Sequence, residues 1–281
     1  MGQPKLKNEK RSGSKRDSLD DIKTYYRSNQ EETRLDVQQL EYRVTLGLFA
    51  KYVKPSSKIL ELGAGSGRYT LPLVKQGHHV TAIELVEELT NQNRARVERE
   101  GFLDRATFFS GDARHVIRET AGAFDTVLAM GPFYHLIDGQ DRIELMSTVT
   151  EKTRKGGLVM TTHLTRLGVI AYMLARFPVW ALQSPKQVAQ ILEAGYLWDH
   201  PRNGDFRGYF CTADEVRELH EAAGLEIIGL HSQDPAIGAV DEIYSALPPE
   251  LKDSWSDILV KLSSDPLALG SGRSLLCVSR K

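Results

Sequence analysis

Residues 58–67 read Lys-Ile-Leu-Glu-Leu-Gly-Ala-Gly-Ser-Gly, a short apolar stretch that runs into three glycines at alternate positions. The apolar stretch predicts a strand, and the helical spacing from Arg68 to Gln76 predicts that a helix follows the glycines. Glycine lets the backbone turn tightly and approach a ligand, and the amides at a helix start offer positive partial charge. A glycine cluster alone is a weak signal. The dinucleotide-binding fingerprint fails here, because Arg68 replaces its third glycine.

The alternation of strand and helix continues beyond this segment. Strands are predicted at 79–84, 106–110, 124–130 and 158–163, and two more at 225–230 and 274–279. A charged amphipathic helix is predicted at 86–100, and residues 19–53 have helical spacing that predicts an N-terminal helix. Strands that alternate with helices are typical of βαβ units. We therefore predict an α/β fold: a Rossmann-like open sheet of seven strands, mostly parallel, with helices on both faces.

Acidic residues occur at consecutive strand ends beside the glycine loop. Glu84 ends the second predicted strand, 21 residues after Gly63, where a carboxylate can accept hydrogen bonds from both hydroxyls of a ribose. Asp112 follows the third predicted strand, where it could reach an adenine amino group. Either carboxylate taken singly is more often a solvated loop residue. Because parallel strands share one carboxyl edge, Glu61, Glu84 and Asp112 together predict a nucleoside pocket at that edge.

This set of motifs resembles that of the class I S-adenosylmethionine-dependent methyltransferases, over residues 58–163 and the terminal strands. Lys155-Gly-Gly157, before the fifth strand, also fits. The resemblance implies S-adenosyl-L-methionine as the cofactor, with Glu61 and the loop backbone facing its methionine part. It implies that Glu84 binds the ribose and that Gly111-Asp112-Ala113 lies on the adenine side. It also implies that the last strand is antiparallel and lies between the fifth and sixth strands.

A narrower similarity covers segments around the expected pocket. Tyr25-Tyr26, Arg34-Leu35, Gly67-Arg-Tyr-Thr70 and Met130-Gly-Pro-Phe-Tyr-His-Leu136 resemble a bacterial-type subgroup of small-molecule methyltransferases with a Gly-Pro-Leu-Tyr-His-Leu signature. Phe133 departs from that signature by replacing its leucine. The resemblance predicts these cofactor-binding residues: Tyr25, Tyr26, Glu61, Gly63, Ala64, Gly65, Gly67, Glu84, Leu85, Asp112, Ala113, Met130 and Gly131.

The chemistry implied is an in-line displacement at a sulfonium, in which a protein chiefly aligns the acceptor and excludes water. His135 and Tyr134 follow the fourth predicted strand and are the predicted catalytic residues. His135 is the better general-base candidate, because histidine titrates near neutrality. A structural histidine bonded to its loop is the alternative. His163 and Tyr209 are weaker candidates for a catalytic role. The adjacent pair His78-His79 is expected to be structural.

The strand–helix pattern is interrupted over residues 164–211, which we interpret as an inserted helical substrate lid. The methyltransferase core with its N-terminal helix then comprises 19–163 and 212–281. Residues 1–18 are polar and rich in lysine and arginine, which predicts a disordered basic tail rather than a signal peptide. The apolar stretch 167–182 is interrupted by Arg176 and Pro178 and is too short to span a bilayer.

Composition narrows the classes of function. The 281 residues include 36 Lys and Arg against 37 Asp and Glu, a net charge of −1 that argues against a protein devoted to nucleic acid or anionic membranes. Cys211 and Cys277 are the only cysteines, too few for a disulfide framework or a zinc cluster. They favour a reducing, cytoplasmic location, and no metal site is predicted.

The prediction is therefore methyl transfer to N, O or S of a small molecule. An RNA or protein methyltransferase, with the basic tail guiding a polymer, is one alternative. Against RNA stands the sequence of residues 131–134, Gly-Pro-Phe-Tyr, in place of the Asn-Pro-Pro-Tyr that base amino methylation commonly uses. A non-catalytic cofactor-binding protein is the second alternative, and the intact set of three acids argues against it. The sequence identifies neither the acceptor nor the oligomeric state.

Overall fold

The computed structural model describes residues 19–27, 39–197, 207–235 and 244–281. The strands are β1 Lys58–Leu62, β2 His79–Glu84, β3 Ala106–Ser110, β4 Phe124–Ala129, β5 Thr153–Thr165, β6 Tyr196–Leu197, β7 Gly208–Cys211, β8 Glu226–Ser232 and β9 Ser274–Arg280. The α-helices are α1 Asp20–Arg27, α2 Gln39–Tyr52, α3 Thr70–Lys75, α4 Glu87–Arg99, α5 Ala113–Val116, α6 Pro132–His135, α7 Gly139–Lys152, α8 Arg166–Arg176, α9 Trp180–Gln183, α10 Pro185–Ala194, α11 Ala213–Ala222, α12 Pro249–Leu262 and α13 Pro266–Ser271.

The main sheet has the strand order β3-β2-β1-β4-β5-β9-β8. Strands β1 to β5 are all parallel to one another. β9 is antiparallel to both β5 and β8 and lies between them. The predicted Rossmann-like sheet, with an antiparallel last strand between the fifth and sixth strands of that pattern, is confirmed.

Apolar side chains cover both faces of this sheet. On one face, Leu40 and Leu48 of α2 pack in a cluster with Ile59 of β1 and Met160 of β5. On the other face, α7 contributes to a cluster that contains Phe124 and other strand residues. A parallel sheet needs helices on both faces, which explains the nearly continuous apolar runs of β1 and β4. The loops at the carboxyl ends of the strands therefore share one exposed edge, where a ligand can bind.

The sequence analysis expected a helical lid between β5 and α11. In the structure this segment also contains the two short strands β6 and β7. β5 continues to Thr165, where its last two residues pair in parallel with β7, and β7 pairs in turn with β6. The sheet of the described residues therefore contains nine strands rather than seven. Gly195 ends α10 with a φ of +72°, and its carbonyl accepts a hydrogen bond from Phe210. This turn sets Tyr196 beside β7, a pairing that no local sequence pattern specifies.

This segment has a small apolar core of its own, formed by Met173, Trp180, Ile191, Leu197 and Phe210. Arg166 attaches it to the main domain, because its guanidinium donates to the Phe210 carbonyl and to Glu215 of α11. Several residues named in the sequence analysis lie outside the described residues: the tail 1–18, Arg34-Leu35, the middle of the predicted N-terminal helix at 28–38, and residues 198–206 of the predicted lid.

Candidate functional site

The glycine loop connects β1 to α3 at the carboxyl edge of the sheet. Gly63, Gly65 and Gly67 all have positive φ, at +72°, +55° and +92°. A Cβ atom on Gly63 would lie 3.0 Å from Pro132, and one on Gly67 would lie 2.2 Å from the Asn93 Oδ1 atom. Conformation and close packing both require glycine at these two positions. The loop backbone is thus held against the start of α6 on one side and against α4 on the other.

Glu84 is buried at the end of β2 and is fixed by two backbone amides. Its Oε2 atom accepts a hydrogen bond from Gly65 N at 2.8 Å, and its Oε1 atom accepts one from Val86 N at 3.0 Å. A carboxylate oxygen has two lone-pair sites, so each oxygen can accept a further hydrogen bond from a ligand hydroxyl. The side chain therefore supports the loop and lines the cavity at the same time.

Asp112 caps α5 and is engaged by Arg114. The Arg114 guanidinium donates to the Asp112 carboxylate at 2.7 Å and to Asp141 at 2.9 Å, and the Arg114 backbone amide also donates to Asp112. The sequence analysis expected the Asp112 carboxylate to reach an adenine amino group. In the structure the Asp112 carboxylate lies beside the cavity and accepts hydrogen bonds from the Arg114 guanidinium. The sequence analysis did not identify Arg114 as a site residue.

A cavity of about 400 Å³ opens at this edge of the sheet, a volume within the usual range for small-ligand sites. The helix α1 lies along the cavity, and its Ile22 is buried there. Thirteen of the fifteen predicted site residues line it: Tyr25, Tyr26, Gly63, Ala64, Gly65, Glu84, Leu85, Asp112, Ala113, Met130, Gly131, Tyr134 and His135.

Glu61 and Gly67, the other two, lie outside the cavity lining. Glu61 is fully buried, and its Oε2 atom accepts a hydrogen bond from Thr70 Oγ1 at 2.6 Å. Asn93 of α4 donates to the same threonine oxygen at 2.9 Å. The Glu61 Oε2 atom thus faces α3 beneath the glycine loop, while its buried Oε1 atom has no hydrogen-bond partner among the described residues. The role of Glu61 in this structure is to support the loop from below.

Burial raises the pKa of Glu61 to about 8, and the negative charge of Glu84 acts in the same direction, while the Thr70 hydrogen bond opposes it. A raised folded-state pKa means that the folded protein binds this proton more tightly than the unfolded chain does. The stabilisation that protonated Glu61 contributes is therefore fully present below the pKa of this group in the unfolded chain. It is lost as pH rises through about 8.

Replacing Glu61 with glutamine removes this titration. We expect the stability of Glu61→Gln, relative to the parent protein, to rise between about pH 5 and about pH 8, by at most about 1.4 kcal/mol per pH unit. Urea unfolding at several pH values measures the difference. Glu98→Gln, at an exposed position of α4, is the matched control and should show no such slope. If the free energy of unfolding changed with pH in the same way for Glu61→Gln and the parent, burial would not raise the pKa of Glu61.

His135 is buried at the end of α6 with both ring nitrogens engaged. The Nδ1 atom lies 3.2 Å from the Arg207 carbonyl oxygen, and the Nε2 atom lies 2.7 Å from the Tyr26 hydroxyl. A carbonyl can only accept, so we assign the proton of the neutral ring to Nδ1. Nε2 then accepts from the tyrosine hydroxyl. A tyrosine on α1 and a histidine on α6 thus form one hydrogen-bonded pair at the cavity wall.

Two ion pairs hold α1 against the cavity. Asp21 lies 3.3 Å from the guanidinium of Arg207, whose backbone carbonyl also meets His135. Arg27 donates to Glu88 of α4 at 2.9 Å, but both side chains are more than half exposed, so this pair contributes little to stability. The buried Ile22 and the Tyr26–His135 hydrogen bond add to the contacts between α1 and the cavity wall.

The weaker histidine and tyrosine candidates lie away from the cavity lining. His163 is fully buried, and burial lowers its pKa well below the usual value. The Thr161 hydroxyl lies 2.7 Å from the Nε2 atoms of both His163 and His220. Tyr209 packs its ring against the Arg142 guanidinium, 3.5 Å from the ring centre. His78, as expected for a structural residue, accepts a hydrogen bond from the backbone of Ser57.

Sequence reasoning missed several cavity residues: Glu41, Ser66, Arg68, Tyr69, Arg114, Thr162, Phe210 and Arg273. Ser66, Arg68 and Tyr69 directly follow the glycines, so their position was available from the sequence. Arg273 precedes β9 and donates to the buried carboxylate of Asp234 at 2.6 Å. Phe210 and Arg273 reach the cavity only through the pairing of β7 and β9 with β5, which no local motif signals.

Other kinds of site were also sought in the described ranges. No group of three or more His, Cys, Asp or Glu side chains there could hold a metal ion. Cys211 and Cys277 are both buried and unpaired, and burial raises the pKa of each thiol to about 12. Among these same residues, the helices are all too short or too polar to cross a bilayer.

Residues 59–157 match the sequence model of a family described as a methyltransferase domain. A 23S rRNA (uracil(1939)-C(5))-methyltransferase from Polynucleobacter necessarius is 33% identical over 72 residues, which are 26% of this chain and 15% of that protein. A ubiquinone biosynthesis O-methyltransferase from Xylella fastidiosa is 25% identical over 192 residues, 68% of each protein. The similarity to the rRNA enzyme is thus confined to a short shared segment.

Solved structures share the fold. The solved structure of a SAM-dependent methyltransferase from Methanosarcina mazei aligns with a TM-score of 0.57 at 16% identity, covering 83% of this chain and 96% of that chain. At this level of identity the alignment supports the fold alone. The alignment covers a much larger share of the chain than residues 59–157 do, so the shared fold is not confined to that segment.

Proposed function

We propose that this chain, which belongs to the class I methyltransferases, transfers a methyl group from S-adenosyl-L-methionine to a nitrogen, oxygen or sulfur atom of a small molecule. The observation that carries the proposal is one cavity that joins the glycine loop and Glu84 to the Tyr26–His135 pair. A nucleoside-binding edge and a proton-accepting pair within one cavity would suit group transfer from a nucleoside cofactor to a bound acceptor.

The residues at the sheet edge fit S-adenosylmethionine. We propose that Glu84 accepts hydrogen bonds from the two ribose hydroxyls, and that Asp112 and Ala113, which line the same cavity, bind the adenine. The loop Gly63–Ser66 borders the cavity without long side chains, which leaves room for the methionine part. When bound, the cofactor supplies a methyl group already activated on a sulfonium. The protein's tasks are therefore to orient the acceptor, exclude water and accept a proton where the acceptor carries one.

Tyr26 and His135 are proposed to accept that proton together. The His135 Nε2 lone pair is directed at the Tyr26 hydroxyl, so an acceptor would meet the tyrosine oxygen first. An acceptor O–H or N–H donates to this oxygen while the tyrosine passes its own proton to Nε2. The resulting imidazolium keeps its Nδ1–H bond to the Arg207 carbonyl. The proton thus moves from the Tyr26 hydroxyl to His135 Nε2 along a preformed hydrogen bond, and the imidazole ring does not need to reorient.

The part of the cavity wall formed by α1, α8 and β7 is largely apolar and favours a compact acceptor with apolar surface. Ile22 of α1, Val169 and Tyr172 of α8, and Phe210 of β7 line it. We propose that the inserted segment 164–211 acts as a substrate lid, since α8 contributes Val169 and Tyr172 to the cavity wall and β7 contributes Phe210. The relative named as a ubiquinone biosynthesis O-methyltransferase is consistent with such an acceptor. The buried, unpaired cysteines are consistent with a reducing, cytoplasmic location, which we also propose.

RNA methylation is the main competing activity, since several relatives are named as RNA methyltransferases. Each of these similarities covers at most 29% of this chain and at most 20% of the relative. The net charge of −1 provides no general attraction to a polyanion. An RNA enzyme should bind RNA with an affinity that falls steeply as salt rises. We expect no such binding, and salt-dependent binding of structured RNA in a filter assay would favour the RNA activity.

Calorimetry with the full chain tests the cofactor assignment. Titration with S-adenosylmethionine or its demethylated product should give saturable binding at one site, and titration with NAD should give none. The expected selectivity follows from Arg68, which occupies the third glycine position of the dinucleotide fingerprint. Binding of NAD in place of S-adenosylmethionine would overturn the assignment. Tight cofactor binding without any transfer would favour the non-catalytic alternative.

A further inference from the structure

The helix α12, Pro249–Leu262, exposes an apolar stripe. Leu251, Trp255, Ile258 and Leu262 are 45%, 48%, 44% and 50% exposed. Their spacing of four, three and four residues places all four within one narrow arc of a helix with 3.6 residues per turn. We call these four side chains the α12 stripe. Isolated exposed apolar residues are ordinary, but four large ones aligned on one helix form a contiguous patch that calls for a partner.

The orientation of α12 is fixed by its opposite side. Leu259 and Ser256 are buried, and Leu259 belongs to the core cluster that includes α2. Arg43 of α2 pairs with Asp253, and Lys252 donates to Gln39 at 2.8 Å. These contacts use a face separate from the stripe. The stripe therefore cannot rotate into the core of its own domain.

We propose that the α12 stripe is covered by the same helix of a second copy of this chain, in a two-fold symmetric, antiparallel helix pair. The 4-3-4 spacing is that of a two-helix seam, in which apolar side chains of one helix fit between those of the other. The stripe is symmetric about its own midpoint. An antiparallel pair sets Leu251 against Leu262 and Trp255 against Ile258, each contact occurring twice, as an isologous interface requires.

The charges beside the stripe select this arrangement. Glu250 and Lys261 are exposed and lie on the same flank of the helix, near opposite ends of the stripe. An antiparallel pair sets Glu250 of one copy near Lys261 of the other, twice over, because the same flanks of the two helices then meet. In a parallel pair this flank of one copy lies on the opposite side of the seam from the same flank of the other, so the two charges do not meet. Asp257 lies on the same flank, which gives this flank two acidic side chains against one basic one. This charge disfavours an anionic lipid surface as the occupant.

α12 contributes no side chain to the cavity, so the pairing and the proposed activity can fail independently. The test is the mass of the full chain by light scattering after size-exclusion chromatography, across a range of concentrations. The parent protein should be a dimer. Ile258→Glu places a charge in the seam twice and should weaken dimerisation at least about 100-fold, with unchanged melting of the monomer. Leu267→Glu, at a residue 86% exposed on α13 and outside the stripe, is the matched control and should remain dimeric.

The charge pair gives a second, orientation-specific test. Glu250→Lys should weaken the dimer, and the exchange of both charges in Glu250→Lys with Lys261→Glu should restore it. A parent chain that stays monomeric at about 100 μM, or a dimer that survives Ile258→Glu, would overturn the proposal. Flotation of a monomeric parent chain with anionic phospholipid vesicles would instead identify a membrane as the occupant and would also overturn it.

Discussion

His135→Ala is expected to lower the rate of methyl transfer to an O–H or N–H acceptor by about 10²–10⁴-fold, the usual contribution of a positioned general base. Cofactor affinity should change little, because His135 bonds to Tyr26 and to the Arg207 backbone rather than to the glycine loop or Glu84. Single-turnover rates with an accepted substrate measure the first effect. Calorimetry and the melting temperature of the same variant measure binding and stability.

Tyr26→Phe should give a comparable loss, because the acceptor's proton passes through the tyrosine oxygen. The double variant should lose no more than the larger single loss, since the two groups act as one unit. Tyr52→Phe is the matched control. Tyr52 forms an equivalent hydrogen bond to His231 at 2.8 Å, away from the cavity. Its removal should cost a similar amount of stability and leave the rate unchanged.

The three readouts separate the possible roles of the pair. A purely structural His135 would lower cofactor affinity and melting temperature together, and the rate only in proportion. An acceptor that is already anionic, such as a thiolate, needs no base, and the loss would then be small at every pH. Rates equal to those of the parent for both His135→Ala and Tyr26→Phe with a hydroxyl acceptor would remove the pair from the chemistry.

Glu84→Ala is expected to weaken cofactor binding by about 5- to 150-fold, corresponding to about 1–3 kcal/mol. The substitution removes the proposed acceptor of two ribose hydroxyls. It also leaves the amides of Gly65 and Val86 without the carboxylate that fixes them. Calorimetry with the demethylated cofactor measures the affinity in the absence of turnover. Glu84→Gln, which retains one acceptor oxygen, should fall between the parent and the alanine variant.

Comparing Glu61→Gln with Glu84→Ala tests whether Glu84, and not Glu61, lines the cofactor cavity. Both carboxylates belong to the sequence motif, but only Glu84 lines the cavity. We therefore expect Glu61→Gln to bind the cofactor with an affinity close to that of the parent. A larger loss for Glu61→Gln than for Glu84→Ala would contradict the placement of the Glu61 side chain beneath the loop.

The sequence predicted the parts of the site that depend on local backbone requirements. The positive φ angles at Gly63 and Gly67 leave a clear pattern, because other residues fit poorly there. Glu84 was predictable because it ends a strand next to the loop strand, and parallel order fixes which strand ends meet. The antiparallel last strand came from the resemblance to a family, and not from any pattern in residues 274–280 themselves.

Other features depended on contacts that no local pattern encodes. The Tyr26–His135 bond joins residues 109 positions apart, so the sequence placed both near the cavity but could not pair them. The direction of Glu61 is set by Thr70 and Asn93 on two helices. β6 and β7 are so short that their pairing depends on the turn at Gly195 and on the end of β5. In each case tertiary packing decided the outcome.

The most direct test of the proposed activity is transfer of a labelled methyl group. A cell extract is incubated with the enzyme and S-adenosylmethionine carrying a deuterated methyl group, then separated into small-molecule, RNA and protein fractions for mass spectrometry. We predict labelled small molecules with the parent enzyme, strongly reduced with Glu84→Ala, and no enzyme-dependent label in RNA or protein. Label confined to RNA or protein, or no label in any fraction despite saturable cofactor binding, would contradict the proposal that this chain methylates a small molecule.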